Sequence, residues 1–167
     1  MPRVLNLQAP YNVYIEERDD VPLYYFITDQ GIKYTISLIK SPEFEGYPFG
    51  LNLYEISFLP DKISHFHDPK VKETIVAFIL HFFQNKENIL LFITDQSDGK
   101  HHARKKLFNI WKKKYDNKNR FTKLDVIFEN ESIGIYYISL IYHNNNPFSE
   151  LIPYALGQGL QNYKGSK

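Results

Sequence analysis

The sequence predicts a single α/β (α+β) domain with a mixed sheet, in the order βββαβαββ followed by a short helix. Three observations predict this class: apolar and polar residues alternate in the early strands, an unbroken apolar run marks a central strand, and helical segments separate the later strands. The domain is predicted to span residues 1–167, with an irregular amino-terminal segment at 1–20 and a loose carboxyl-terminal tail at 161–167.

A hairpin and a third strand open the predicted sheet. Tyr24 to Thr28 and Lys33 to Lys40 flank the turn Asp29-Gln30-Gly31, because glycine readily takes the positive φ that such turns need. The third strand, Leu53 to Leu59, alternates apolar and polar residues, which is typical of a half-covered strand. Before the hairpin, Asn12 to Glu16 is the only plausible strand of the first twenty residues.

A largely buried helix is predicted from Asp68-Pro69 to about Gln84. Aspartate suits the cap position, and proline at the first helical position loses no hydrogen bond. Apolar residues cover most of the helix circumference, which favours burial over a surface position. These residues are Val71, Ile75, Val76, Phe78, Ile79, Leu80, Phe82 and Phe83.

The segment from Asn88 to Tyr115 is the most informative stretch. Its apolar run, Ile89 to Ile93, predicts a strand covered on both faces, and Ser97 or Asp98 is suited to cap a basic amphipathic helix after it. Strands follow at Phe121 to Phe128 and Ile135 to Tyr142, and a short helix follows within 148–160. The third to sixth strands are therefore predicted to form a parallel βαβαβ crossover.

Composition limits the functional classes. The chain has no cysteine, which excludes disulfides, thiolate metal sites and a cysteine nucleophile and favours a reducing, cytoplasmic location. No signal peptide is recognisable, and the apolar runs are far shorter than the roughly 20 residues of a membrane span. We therefore expect no membrane association.

Positive charge is concentrated on the predicted second helix. Ten Lys or Arg lie between Lys100 and Lys123, although the formal net charge is only +1. Part of this charge falls on the helix face opposite the apolar one, as a basic stripe formed by Lys105, Lys106, Lys112 and Lys113. The stripe is either a solvated face that complements the helix dipole or a surface that binds an acidic protein or a nucleic acid.

The start of this helix is the predicted ligand site. Ligands commonly bind where a strand ends and a helix begins in open α/β sheets. The predicted binding site therefore comprises Asp95, Asp98, Gly99 and Arg104, together with the basic stripe. The histidines do not favour a metal, because their spacing brings at most two ligands together; they are His65, His67, His101 and His102. The sequence predicts no metal and no cofactor, and it identifies no catalytic residue.

The order from Tyr24 to Tyr142 resembles the acetyl-coenzyme A dependent N-acetyltransferase fold, and Ala103-x-x-x-Leu107-Phe108-x-x-Trp111 looks like its late helix. Those enzymes open their cofactor helix with a Q/R-x-x-G-x-G/A loop that lets backbone amides approach the pyrophosphate. The matching segment here, Ser64 to Lys70, has no glycine and contains a proline and an aspartate. The resemblance thus implies an acetyltransferase-like fold that lacks the cofactor loop.

Two other resemblances concern the aspartates. The repeated pentapeptides Phe26 to Gln30 and Phe92 to Gln96 put Asp29 and Asp95 where the ribonuclease H fold would bring carboxylates together, with Glu73 or Glu150, around two metals. Separately, the run Asp95-x-x-Asp98-Gly99-x-x-x-Ala103-Arg104-x-x-x-Phe108-x-x-Trp111 resembles the signature of a family of small bacterial proteins known only as a domain of unknown function.

These observations favour a small intracellular protein that binds a protein or a nucleic acid and is not an enzyme. Two enzyme alternatives remain open. One is a divergent acyl-coenzyme A N-acyltransferase, and the other is a metal-dependent, ribonuclease H-like nuclease.

Arg104 generates the first testable prediction. At 100° per residue its direction falls between Leu107 and Phe108, inside the apolar arc, so the guanidinium is expected to be partly buried and to need an acidic partner such as Asp95 or Asp98. If the pair locks the turn, Arg104→Lys lowers the melting temperature. If Arg104 presents its fork to a ligand, the same change weakens binding with little change in melting.

Overall fold

The computed structural model describes residues 1–41, 44–95, 109, 112, 113, 116, 118–130 and 134–157, with side chains for all except 93–95, 127–130 and 134–136. Eight strands and one long helix lie in these ranges. They are β1 Arg3–Leu5, β2 Val13–Arg18, β3 Val21–Ile27, β4 Lys33–Lys40, β5 Leu53–Pro60, α1 Pro69–Phe82, β6 Ile89–Asp95, β7 Phe121–Asn130 and β8 Gly134–His143. A 3₁₀ turn covers Pro48–Asn52, and residues 151–157 form a short helix, α2.

The strands form one eight-stranded mixed sheet in the order β1-β2-β3-β4-β5-β6-β8-β7. This confirms the predicted α+β class with a mixed sheet. Within the described ranges, no helix combines the length and the apolar character that crossing a bilayer requires.

The chain divides into two compact units. Unit 1 consists of Met1–Ile39 and Ile56–Gln84, and unit 2 consists of Lys40–Glu55 and Asn85–Lys167, so the division falls within β5. In unit 1 the first four strands are consecutive antiparallel neighbours. The hairpin turn between β3 and β4 has the predicted glycine at positive φ, since Gly31 lies at φ 75°.

Helix α1 forms much of the core of unit 1. Asp68 caps it by accepting a hydrogen bond from the Lys70 amide, and Pro69 occupies the first turn, as the sequence predicts. Phe78 is 1% exposed and meets Tyr24 of β3 in an edge-to-face contact, with ring centroids 4.9 Å apart. Burial of this apolar face therefore fixes the helix against one face of the antiparallel strands.

Strand β6 runs through the core of unit 2. It pairs with β5 in parallel and with β8 in antiparallel orientation, and its buried residues from Ile89 to Phe92 confirm a strand covered on both faces. Gly50 permits a close approach beside this core, because an added Cβ would lie only 2.0 Å from the Phe44 carbonyl oxygen. The core cluster comprises Phe44, Phe49, Leu53, Ile89, Leu91, Leu140, Tyr142, Ile152, Ala155 and Leu156.

Two features depart from the predicted topology. The parallel crossover holds for β5 and β6, but β7 is not the next neighbour of β6, because β8 lies between them and pairs antiparallel with both. The long register between β7 and β8 explains this, since ten consecutive residue pairs run from Phe121↔His143 to Asn130↔Gly134. In addition, β1 and β2 lie within the segment 1–20, which was predicted to be irregular apart from Asn12 to Glu16.

The ribonuclease H alternative is wrong. That arrangement requires the strands that precede Asp29 and contain Asp95 to be neighbours. Instead, β3 pairs with β2 and β4, whereas β6 pairs with β5 and β8. The two identical pentapeptides therefore do not lie on neighbouring strands. The strand order follows from long-range pairings that such short segments do not encode.

Two phenylalanines with opposite exposure provide a matched test of the core of unit 1. We expect Phe78→Ala to lower the free energy of unfolding by about 3–5 kcal/mol, because it removes a fully buried ring and leaves a cavity. Phe66→Ala is the control, since Phe66 is 77% exposed, and it should change stability by less than about 0.5 kcal/mol. Urea unfolding of both variants measures the difference; equal losses would contradict the described packing.

Candidate functional site

Much of the predicted ligand site lies outside the described residues. Asp95 ends β6, where its backbone is opposite Tyr136. Lys112 and Lys113 are both helical; Lys112 is partly buried and Lys113 is exposed. The remaining predicted site residues lie outside the described ranges, as does Trp111; they are Asp98, Gly99, Arg104, Lys105 and Lys106.

Lys112 is a helical residue whose side chain holds the loop that follows it. Its ammonium lies 3.5 Å from Asp116 Oδ2 and donates to Asn119 Oδ1 at 3.3 Å. The buried Asp116 carboxylate also accepts hydrogen bonds from the backbone amides of Arg120, at 2.5 Å, and Phe121, at 3.1 Å. Three donors around one buried carboxylate hold the loop that leads into β7, so Lys112 has a local structural role.

Four other cations of unit 2 differ from Lys112, which is paired with Asp116. Lys86, Lys113, Lys118 and Arg120 are exposed, and none has an acidic partner among the described side chains. We call these four residues the basic surface. They belong to unit 2, whose sequence has fourteen Lys or Arg against eleven Asp or Glu, a net charge of +3.

The pKa of His143 is sensitive to two cations of this surface. Its Nδ1 accepts the Asn145 amide at 3.0 Å, and its ring meets Phe121 edge-to-face with centroids 5.3 Å apart. Partial burial lowers the pKa of His143, and the charges of Lys86 and Arg120 lower it further. Cations that disfavour protonation of a neighbouring imidazole would also favour the approach of an anion.

The amino end of α1 is the second place where an anion could bind in principle, because helix amino ends present free amides. Here an aspartate occupies it. Asp68 Oδ1 accepts the Lys70 amide at 2.9 Å, Asp68 Oδ2 accepts the Tyr11 hydroxyl at 2.5 Å, and Pro69 has no amide hydrogen to offer. The position is therefore already filled by a carboxylate, which would repel a phosphate.

Tyr11 connects this cap to the rest of unit 1. Its hydroxyl accepts the Asp29 amide at 3.3 Å, and its own amide donates to Thr74 Oγ1 at 3.3 Å. Desolvation raises the pKa of the Tyr11 phenol, and the hydrogen bond to Asp68 raises it further. Sequence reasoning did not find this cluster, because its members are up to 63 residues apart and no local pattern marks them.

The candidate metal ligands that the structure describes do not come together. Among the described residues, no group of three or more histidines and acids could hold a metal ion. His65 and His67 are both exposed, while His101 and His102 lie outside the described residues. Asp29, which the ribonuclease H resemblance would make a metal ligand, forms an ion pair with Lys70 at 2.7 Å.

The Asp29–Lys70 pair generates a pH-dependent prediction. The Lys70 ammonium lowers the pKa of the Asp29 carboxyl, so the contribution of the pair to stability is present above the ordinary aspartate pKa. It is lost as the pH falls through the lowered pKa. Lys70→Met should raise the pKa of Asp29, measured by NMR of its side-chain carboxyl, and should make the melting temperature less sensitive to pH in that acidic range.

Lys72→Met serves as the control, because it removes an equal charge from the same helix without touching Asp29. A pKa of Asp29 that is the same in all three proteins would show that the ion pair does not form in solution.

The fold has a likeness among solved structures, whereas the curated proteins give no match. The fold is similar to that of a solved structure described as a CoA-dependent acyl-homoserine lactone synthase, MesI, with 13% identity and a TM-score of 0.37. The likeness covers 97% of this chain and 78% of that chain.

A family model gives the assignment. Residues 67–155 match the model described as a family of unknown function (DUF6169), and this range contains α1, β6, β7 and β8. The match extends over a little more than half of the chain and includes the run from Asp95 to Trp111 that resembles an unknown-function signature. The chain therefore belongs to the family of unknown function DUF6169.

Proposed function

We propose that this protein is a binding module that recognises densely charged anionic partners, nucleic acids or acidic protein surfaces, through the basic surface of unit 2. The observation that carries the proposal is the exposure of Lys86, Lys113, Lys118 and Arg120 without acidic partners among the described side chains. Lys118 and Arg120 lie on the loop before β7, and Lys86 and Arg120 both act on His143, so cations from separate segments contribute to one field. Two of them, Lys86 and Arg120, act on the same neighbour, because both charges lower the pKa of His143 in addition to the larger effect of its partial burial.

The loop beneath the basic surface supports this role. Asp116 holds the backbone of Arg120 and Phe121, and the Arg120 guanidinium lies 5.8 Å from the Phe121 ring centroid. Asn144 reinforces the loop by donating from its side chain to the Asn119 carbonyl and from its backbone amide to the Arg120 carbonyl, both at 2.7 Å. A preorganised cation loses less conformational entropy when it binds than one on a free segment does.

The Asp68 cap at the amino end of α1 disfavours acyl transfer there. An acyl-coenzyme A enzyme needs free amides to hold the pyrophosphate, and here the Lys70 amide is bonded to Asp68 within a network that includes Tyr11. Binding a pyrophosphate there would bring it against a carboxylate already committed to two hydrogen bonds. We therefore assign no catalytic residue and no cofactor to the proposed function.

The basic surface generates a charge-reversal prediction. Lys113→Glu, Lys118→Glu and Arg120→Glu combined should abolish binding of a fluorescent oligouridylate or polyglutamate probe at about 50 mM salt. For the wild type, the logarithm of affinity for the oligonucleotide should fall linearly with the logarithm of salt. Each lost phosphate contact should reduce that slope by about 0.7. Fluorescence anisotropy measures both quantities.

The matched control reverses Lys40, Lys62 and Lys72, which changes the net charge by the same amount and leaves the four residues of the basic surface unchanged. Equal loss of binding in both triple variants would show a general charge effect and contradict the proposal. So would the absence of any binding by the wild type. Thermal protection of the wild type by coenzyme A would instead favour a divergent acyltransferase.

A further inference from the structure

The turn that follows β8 holds two loops of unit 2 together. The Asn144 backbone amide donates to the Arg120 carbonyl, on the loop before β7, at 2.7 Å. The side chain of Asn146, which is 3% exposed, donates to the Glu87 carbonyl, on the loop before β6, at 3.2 Å. One turn therefore fixes the backbone of both loops, and each loop carries a cation of the basic surface.

His143 begins this turn, and its imidazole is held as one tautomer. Its Nδ1 accepts a hydrogen bond from the Asn145 amide at 3.0 Å. A ring nitrogen that accepts a hydrogen bond carries no hydrogen, so in the neutral imidazole the hydrogen lies on Nε2. No described residue accepts a hydrogen bond from Nε2. His143 therefore presents an Nε2–H donor that the described part of the chain leaves unused.

The surroundings of the imidazole keep it neutral and favour an anion. Partial burial is the main cause of the lowered pKa of His143, and the charges of Lys86 and Arg120 lower it further, whereas Asp116 opposes them. The buried Asp116 carboxylate is already engaged by two backbone amides and the Lys112 ammonium. Lys86 and Arg120 are exposed and have no acidic partner among the described side chains. Two cations that are free to meet a ligand therefore accompany a neutral donor.

The Phe121 ring fixes the positions of two of these three groups. Phe121 is 5% exposed and lies directly opposite His143 in the β7–β8 pair. Its ring meets the imidazole edge-to-face with centroids 5.3 Å apart, and the Arg120 guanidinium lies 5.8 Å from the centroid of the same ring. Because both groups lie against one buried ring, they lose little conformational freedom when a ligand binds. We call His143, Lys86 and Arg120 the histidine site.

The ligand that complements the histidine site is a phosphomonoester. Its charge of about −1.5 to −2 at neutral pH matches the two cations, while the neutral imidazole adds a donor without adding charge. Its three terminal oxygens can each accept a hydrogen bond, one from each of the three side chains. A carboxylate offers a single charge and two oxygens in one plane, and a phosphodiester within a nucleic acid also carries only one charge. Charge and donor number therefore favour a terminal phosphate over both.

We infer that the histidine site binds the terminal phosphate of a nucleic acid, with Nε2–H of His143 donating to a phosphate oxygen and with Lys86 and Arg120 balancing the charge. The inference rests on the proposed polyanion binding and deepens it, because it names the part of the partner that is recognised. Internal phosphates can be attracted by Lys113 and Lys118 through charge alone. A terminal phosphate should therefore add affinity that depends on His143.

The test uses the full chain and two oligouridylates with a 3′ dye, one ending in a 5′-phosphate and one in a 5′-hydroxyl. At about 50 mM salt the phosphorylated probe should bind about tenfold more tightly, because charge-assisted hydrogen bonds form only with its phosphate. His143→Ala removes no charge at neutral pH and should reduce this preference to below about threefold. His143→Gln keeps a side-chain N–H donor and should retain more of the preference. His67→Ala is the matched control, because His67 is an exposed histidine of unit 1, and it should show the wild-type preference.

NMR tests the same site without a polymer. The imidazole nitrogen chemical shifts of the wild type should show the hydrogen of His143 on Nε2. Inorganic phosphate should raise the pKa of His143, because a bound anion offsets the cations that lower it. Lys86→Met should raise the same pKa in the absence of phosphate and should weaken the effect of added phosphate.

Several results would overturn the inference while leaving the proposed function intact. They are equal binding of the two probes, a full preference that survives His143→Ala, and a pKa of His143 that phosphate does not change. Polyglutamate binding that His143→Ala removes would also overturn it, because the site would then recognise carboxylates. If neither probe binds, the proposed nucleic acid binding fails together with the inference, and a pKa of His143 that phosphate still raises would identify a site for free phosphate.

Discussion

The carboxylate of Asp68 is the interaction on which unit 1 most depends. One oxygen caps α1 at the Lys70 amide, and the other accepts the Tyr11 hydroxyl. That hydroxyl in turn accepts the Asp29 amide from the turn after β3, so three distant segments meet at one side chain. Removing a partner from such a network leaves desolvated polar groups unpaired, which costs more than the hydrogen bond itself contributes.

This arrangement also limits what the helix can do. The first turn of a helix is a general anion site because its amides point outward without partners. In this chain the protein supplies its own anion and adds Pro69, which removes one amide altogether. Exposed cations lie elsewhere, for example Arg120 and Lys118 on the loop before β7.

Local patterns predicted most of the secondary structure. Strand β4 was predicted at Lys33 to Lys40 and is observed at the same residues, because alternation along the strand and Gly31 in the turn are both local signals. The three-residue β1 has no alternation to detect and exists through its pairing with β2. The insertion of β8 between β6 and β7 depends on long-range pairing, which periodicity does not encode.

The candidate sites were predictable to different degrees. The excess of cations around Lys113 is visible in the composition, but the sequence does not show that Lys112 is committed to Asp116. The Tyr11–Asp68 contact spans 57 residues and had no signal. Phe121 and His143 meet only because the β7–β8 register places them opposite each other, and that register depends on long-range pairing.

The outer strands of the two units have a consequence for misassembly. In unit 1 the outer strand β1 has three residues, and in unit 2 the outer strand β7 pairs with β8 alone among the described strands and includes Lys123, Asp125 and Glu129. An exposed strand edge templates aggregation when it is long, flat and apolar, and short length and charge are the usual protections. Both edges are thus poor templates for another strand, which protects the folded chain against fibrillar aggregation.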